Sequence, residues 1–303
     1  MPDFPQGRRA FPRGAYTRIM TKFMRLGPFG SEIPVIDTGD GVLRDLRPIT
    51  SDIDGAFLES GGLVRARAEA ADLPELEGAA AMRVGAPIAR PGAVLCIGQN
   101  YAAHAAESGN PAPTVPIPFF KHPNTVIGPY DDILIPPRAA KIDWEVELGV
   151  VIGKRARYVD TVENALEHVA GYVVSHDVSE RTWQKEESGG QWSKGKIAET
   201  LNPLGPALLP ADEVDPQALR IWSTVNGEHR QDSSTGDMVF SVAFLVWHLS
   251  QYGVLDPGDL LNTGTPEGVA MSGRFPYLVA GDVVELGIDG VGVQRQNLVP
   301  AGV

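Results

Sequence analysis

The chain has a single cysteine, Cys96, so an intramolecular disulfide cannot form. A cysteine-based zinc site is excluded with it, and both facts suit a reducing, cytoplasmic setting. No apolar run approaches the roughly 20 residues that span a bilayer, so the sequence gives a membrane role no support. Basic residues are the minority: 26 Lys and Arg stand against 38 Asp and Glu, for a net charge of −12. No Lys/Arg cluster repeats along a face, and nucleic acid is not an expected partner. Residues 1–22 carry Arg8, Arg9, Arg13, Arg18 and Lys22 but no apolar h-region, so they do not read as a secretory signal. They read as a disordered tail, or as a start placed too early, with Met20 or Met24 as the first residue.

What the chain has in quantity is glycine (34) and proline (25), which points to many turns and short strands. The Pro/Gly stretch Ala86-Pro87-Ile88-Ala89-Arg90-Pro91-Gly92 reads as a linker. It divides a small N-terminal domain, residues 23–88, from a larger catalytic one, residues 89–303. Ala93–Gly98 reads as a buried strand and Asn100–Gly109 as one or two helical turns. Asp143–Gly153 reads as one continuous strand, Thr161–Ala170 as a helix stopped by Gly171, and Tyr172–His176 as a second strand ending at Asp177. Ile221–Asn226 and Glu228–Asp232 flank Asn226-Gly227, a strong hairpin signal. Ser241–Tyr252 has helical spacing; Leu260–Asn262 and Val283–Ile288 read as strands. Strands outnumber helices in mixed order, which predicts an α+β, β-rich fold rather than a doubly wound one.

The chemistry concentrates in Asp143-Trp144-Glu145-Val146-Glu147-Leu148. Side chains alternate along a strand, so Trp144, Val146 and Leu148 face one way and Asp143, Glu145 and Glu147 the other. Carboxylates at i and i+2 lie roughly 6.5–7 Å apart and can converge on one cation, which removes their mutual repulsion. The bland reading is the wet face of an edge strand. Against it, the strand runs into Gly149-Val150-Val151-Ile152-Gly153, apolar on both faces, and a third acid, Asp177, ends a second apolar strand. Three carboxylates without His or Cys make an oxygen site suited to Mg²⁺, Mn²⁺ or Ca²⁺. Read alone, Lys196 is a surface lysine and Thr263–Gly268 a plain turn, although its amides can hold an anion. His104 and Glu107 share a helical face as a base and its orienter, or as an ordinary surface contact.

In their order these stretches resemble the fumarylacetoacetate hydrolase family, from about Pro91 to the C-terminus. The marks include Ile97-Gly98-Gln99-Asn100-Tyr101 with His104 and Glu107, Phe120-Lys121, Asp143–Glu147, His176-Asp177-Val178-Ser179-Glu180-Arg181, Lys194–Lys196, Asn202–Pro206, Pro257-Gly258-Asp259 and Thr263–Gly268. The resemblance implies a mixed β-sandwich roll, a homodimer, and Mg²⁺ or Mn²⁺ bound by Glu145, Glu147 and Asp177. It implies a 2-keto acid substrate near Tyr101, Arg181, Gln184 and Thr265, with His104, Glu107 and Lys196 as the catalytic residues. The expected reaction is hydrolysis of a C–C bond in an acylpyruvate-like acid or a 2,4-diketo-3-deoxy sugar acid. The alternatives are a decarboxylase or isomerase of an oxaloacetate-like or hydroxy-dienoate intermediate in aromatic catabolism, and a metal-binding protein without catalysis. Lys196-Ile197-Ala198-Glu199-Thr200-Leu201 departs from the family's pattern, as do Gln99, His122 and Glu267, and Ile197 and Leu201 are expected to reshape the pocket beside Lys196.

Overall fold

The computed structural model describes residues 20–302. The expected tail therefore lies outside the described residues except for its last three, and of these Lys22 already opens a strand. Strands β1 (Lys22–Leu26), β2 (Ile33–Asp37) and β3 (Arg44–Asp45) form an antiparallel sheet, followed by helices α1 (Gly55–Glu59) and α2 (Gly62–Glu69). Next come β4 (Val94–Gly98), α3 (Ala102–Glu107), β5 (Ile117–Lys121), β6 (Val126–Ile127), β7 (Ile133–Ile135), β8 (Ile142–Asp143), β9 (Val146–Ile152) and β10 (Val169–His176). The chain continues through β11 (Ser179–Glu180), β12 (Asn202–Pro203), β13 (Leu209–Pro210), β14 (Arg220–Val225) and β15 (Glu228–Ser234). It ends with α4 (Val242–Ser250), β16 (Leu260–Asn262), β17 (Val283–Ile288) and β18 (Gly292–Pro300). Among the described residues no helix is long and apolar enough to cross a membrane.

Two mixed sheets carry the structure. One has six strands in the order β13-β10-β9-β16-β4-β5, the other five in the order β15-β14-β17-β18-β7. Each contains one parallel pair among antiparallel ones, β16 with β4 and β18 with β7. Leu148, Val150, Ile152, Tyr172 and Val174 from the first sheet pack with Ile221, Val284, Leu286 and Leu298 from the second. The opposite face of the six-stranded sheet presents Val94, Cys96, Val151, Val173 and Leu260, and these share a core with Phe23, Ile36, Phe57 and Leu63. Both faces of β9 are thus buried, which is why its run is apolar at consecutive positions. The Pro/Gly stretch is itself covered: Ala86 and Ile88 are buried, and Arg25 donates to both their carbonyls.

The hairpin at Asn226-Gly227 forms as expected, both residues at positive φ (53° and 80°). Ser241 caps α4 by accepting from the Phe244 amide. Two expectations fail. The helix over 161–170 is a 3₁₀ segment, Glu163–His168, because Val169 and the residues after it pair with β9 and β13 instead. Gly171 does not stop a helix but sits in the strand, where a Cβ would meet the Leu209 carbonyl oxygen at 2.0 Å. The strand over 143–153 is not continuous either. β8 pairs with β11 in a separate ribbon, and the chain breaks at Trp144 and Glu145 before β9 begins.

Candidate active site

β9 and β10 pair antiparallel with Glu147 opposite Ser175, and the Asp177 amide donates to the Glu145 carbonyl at 2.9 Å. Strand alternation then puts Glu145 and Glu147 on one chain, and Asp177 on its neighbour, on a common face at the sheet's end. One oxygen from each lies within 4.8 Å of the others, and all three side chains are buried.

Three buried cations reach into this cluster. Lys196, 1% exposed, places Nζ 2.7 Å from Glu145 Oε2 and 2.8 Å from Asp177 Oδ2. Lys121, at the end of β5, donates to Asp177 Oδ1 at 2.6 Å and to the Val178 carbonyl at 3.0 Å. Arg181 meets Glu145 Oε1 through Nη2 at 2.6 Å and is fixed by Asp143 at Nε (2.8 Å) and Gln184 at Nη1 (2.8 Å). Asp143 in turn accepts from the amides of Trp144, Ala270 and Met271. Asp143 therefore anchors Arg181 rather than joining the three acids.

Burial alone would raise the Glu145 carboxyl, but Lys196 and Arg181 outweigh it and hold the group below the usual carboxylate range. Burial opposes the Lys196 ammonium, yet Asp177 and Glu145 hold its pKa above the ordinary value. Lys121 goes the other way, because burial, helped by Lys196, prevails over Asp177. Glu147 is the uncompensated member. It makes no ion pair among the described residues and receives one amide, Gly264 N–H at 2.8 Å. Burial, then Asp177 and Glu145, push its carboxyl well above the usual value. A buried acid cluster with one charge unanswered, made only of hard oxygens, fits a divalent cation of the Mg²⁺, Mn²⁺ or Ca²⁺ kind.

His104, on α3, sets Nδ1 3.0 Å from Glu107 Oε1. Glu107 also accepts the Gly268 amide at 3.1 Å and Arg274 Nη2 at 2.9 Å. Although burial opposes it, the contacts to His104 and Gly268 hold the Glu107 carboxyl below its ordinary value. The amides of the turn at 263–268 thus do hold acidic groups, but these are the protein's own, Glu147 and Glu107. Thr265 donates to the Val146 carbonyl (2.9 Å) and accepts from Gln231 Nε2 (2.8 Å).

His104, Glu145, Glu147, Arg181, Gln184, Lys196 and Thr265 line one cavity of about 20 Å³, with room for about one water. Tyr101 is buried outside that lining and its hydroxyl has no partner among the described residues. Two expectations are corrected here. Ile197 is 45% exposed and Leu201 lies in the core between the sheets, so neither shapes the cavity. The residues that sequence reasoning left without a role are Lys121, Asp143, Gln231 and Arg274. Asp143 alone had a signal, its place on the same alternating face as Glu145 and Glu147.

A family model described as fumarylacetoacetate (FAA) hydrolase C-terminal matches residues 93–299. A Burkholderia multivorans protein, provisionally named a hydrolase, is 49% identical over 280 residues, covering 91% of this chain and 98% of that one. A fumarylacetoacetate hydrolase from Exiguobacterium antarcticum is 32% identical with a TM-score of 0.78, over 92% of this chain and 99% of that one. A 5-carboxymethyl-2-hydroxymuconate delta-isomerase from Mycobacterium smegmatis is 31% identical with a TM-score of 0.74, over 93% and 100%.

Proposed function

The chain belongs to the fumarylacetoacetate hydrolase family, and from that premise we propose that it hydrolyses a C–C bond in a 2,4-diketo acid of the acylpyruvate kind, with a divalent cation held by Glu145, Glu147 and Asp177. The observation that carries this reading is Glu147, a buried carboxylate without a cationic partner, in the same cavity as an imidazole already oriented by a carboxylate. The cation, when bound, supplies Lewis-acid stabilisation for the oxygens of the 2-keto acid. Glu107 orients the ring through Nδ1, so Nε2 of His104 is the nitrogen assigned here to take a proton from water. The water oxygen bonds to the distal carbonyl carbon, the C–C bond breaks, and its electron pair becomes an enolate, protonated to the 2-keto acid product. Lys196 sets an ammonium beside the place where that negative charge grows. Arg181, held by Asp143 and Gln184, keeps Glu145 in place and adds positive charge to the substrate's side of the cavity.

The same residues without an activated water suit decarboxylation or isomerisation, and the likeness to a named isomerase gives that second reading its footing. The two separate at His104. Metal-stripped protein should turn over acylpyruvates only after Mg²⁺ or Mn²⁺ is restored, read as pyruvate formed, and Glu145→Ala should abolish the activity. His104→Ala should cost about 10²–10⁴-fold in hydrolysis. An unchanged rate in His104→Ala, or turnover insensitive to chelation, overturns the hydrolytic reading.

A further inference from the structure

Gln231 has no part in the chemistry above, yet it is the one buried residue of β15, an edge strand whose other positions reach solvent. The inward position of such a strand ordinarily carries an apolar side chain, and here it carries an amide. A bulge delivers it. Ser223 stands opposite Gln231 and Thr224 opposite His229, so Arg230 is an extra residue in β15. Arg230 lies over the Phe275 ring, 4.7 Å from its centre, and Gln231 turns inward, as bulges beside functional sites re-aim side chains.

The amide is fully used. Its Oε1 accepts from the Val146 N–H at 3.1 Å and from Ser223 Oγ at 3.0 Å. Its Nε2 donates to Thr265 Oγ1 at 2.8 Å and to the Pro266 carbonyl at 2.9 Å. Two donors and two acceptor sites are all that a carboxamide has.

Val146 is the residue between Glu145 and Glu147, at the end of β9 where a neighbour is missing. β16 pairs with β9 only from Val151 to Gly149. Because the Asp177 amide bonds to the Glu145 carbonyl, the next pair, His176 with Val146, is a non-hydrogen-bonded one, and both polar groups of Val146 turn away from β10. Among the described residues no strand meets them there. Gln231 takes the N–H and Thr265 donates to the carbonyl at 2.9 Å, and these two side chains bond each other. The first bond fixes the peptide plane from Glu145 to Val146, the second the plane from Val146 to Glu147. Three carboxylates whose oxygens come within 4.8 Å repel one another, and a strand end with one free edge would yield to that repulsion.

Resting on the reading of the acid cluster as a cation site, we propose that Gln231 is a positioning residue. Its amide stands where the next strand would, and with Thr265 it holds the backbone between Glu145 and Glu147 extended so that both carboxylates face the cation.

Three variants test this. Gln231→Met keeps the length of the side chain and loses all four bonds. Gln231→Asn keeps the amide but falls one methylene short of Val146, and it carries the test if Gln231→Met does not fold. Ser223→Ala is the control, since it removes a bond to the same amide oxygen and none to Val146 or Thr265. Both Gln231 variants should bind Mg²⁺ about 10–100-fold more weakly by calorimetry, the usual cost of losing a residue that orients a ligand, while Ser223→Ala binds it like the unmodified protein. Hydrogen exchange in the metal-free proteins gives a readout that general loosening does not move selectively: the Val146 amide should lose more protection than the amides of β14 and β17. Mg²⁺ affinity unchanged in the Gln231 variants, or weakened as much by Ser223→Ala, or protection lost evenly over Val146, β14 and β17, overturns the inference and leaves the cation reading standing. No Mg²⁺ binding by the unmodified protein overturns both.

Discussion

At the scale of single residues, Glu147 is where charge and proton compete. Its carboxyl is raised first by burial and then by Asp177 and Glu145, so in the metal-free protein it holds a proton at pH values where an ordinary glutamate has lost it. A cation binds the deprotonated form, and below that raised pKa its binding must expel a proton. Metal affinity should accordingly rise with pH, with a slope of about one proton per ion below Glu147's raised pKa and none above it. Calorimetry in buffers of different ionisation enthalpy measures the release directly, and a value near zero throughout would remove Glu147 from the set of ligands. Glu147→Gln should both abolish the proton release and weaken binding at least about tenfold. The three acids were legible from the sequence because alternation and a strand end fix their faces whatever the rest of the fold does. Lys121 was not, and Lys196 entered only through the family resemblance. A lysine that closes a strand or sits in a glycine-rich turn is written like any solvated one, and only burial against Asp177 and Glu145 distinguishes it.

At the scale of elements, the turn over 263–268 does what neither neighbouring strand can, because its amides point back at two glutamates from different elements. Gly264 donates to Glu147 on β9 and Gly268 to Glu107 on α3, so one turn registers the acid cluster against the His104 pair. Gly264 has φ +98°, and a Cβ on it would lie 2.7 Å from the Asn100 Cβ. Gly264→Ala should therefore cost about 1–3 kcal/mol of stability through backbone strain and displacement of Asn100. It should weaken Mg²⁺ binding more than surface-loop variants of equal stability elsewhere, by turning the buried Gly264 amide from Glu147. Denaturant melts paired with metal titration would show it, and intact metal affinity in the destabilised variant would mean the amide contact is incidental. The broken strand at Trp144–Glu145 and the 3₁₀ segment before β10 were misread for one reason: local pattern sees alternation and spacing, whereas pairing partners decide where a strand starts and stops. β8 finds β11, and Val169 finds Ile152, across distances in sequence that no short window spans.

At the scale of the whole molecule, the site stands at the end of a sheet face whose remainder is covered by the N-terminal elements. Phe23 bridges to Leu208 beside β13 and shares a core with Val151 and Val173, which follow the acids on the same face of β9 and precede Asp177 on β10. That face would present Val94, Cys96, Val151, Val173 and Leu260 to water if residues 23–88 came away, and so broad an apolar surface is not left bare in a stable monomer. The N-terminal sheet and the six-stranded sheet should then unfold as one cooperative unit. Phe23→Ala empties a fully buried ring site and should cost about 3–5 kcal/mol. Hydrogen exchange reads how that loss is distributed. The amides of β1 and β2 and those of β9 should lose protection by the same amount, because the opening that exposes one exposes the other. Loss confined to β1 and β2, with β9 protected as before, would make residues 23–88 a separate unit resting on a catalytic body that holds its acid cluster without them.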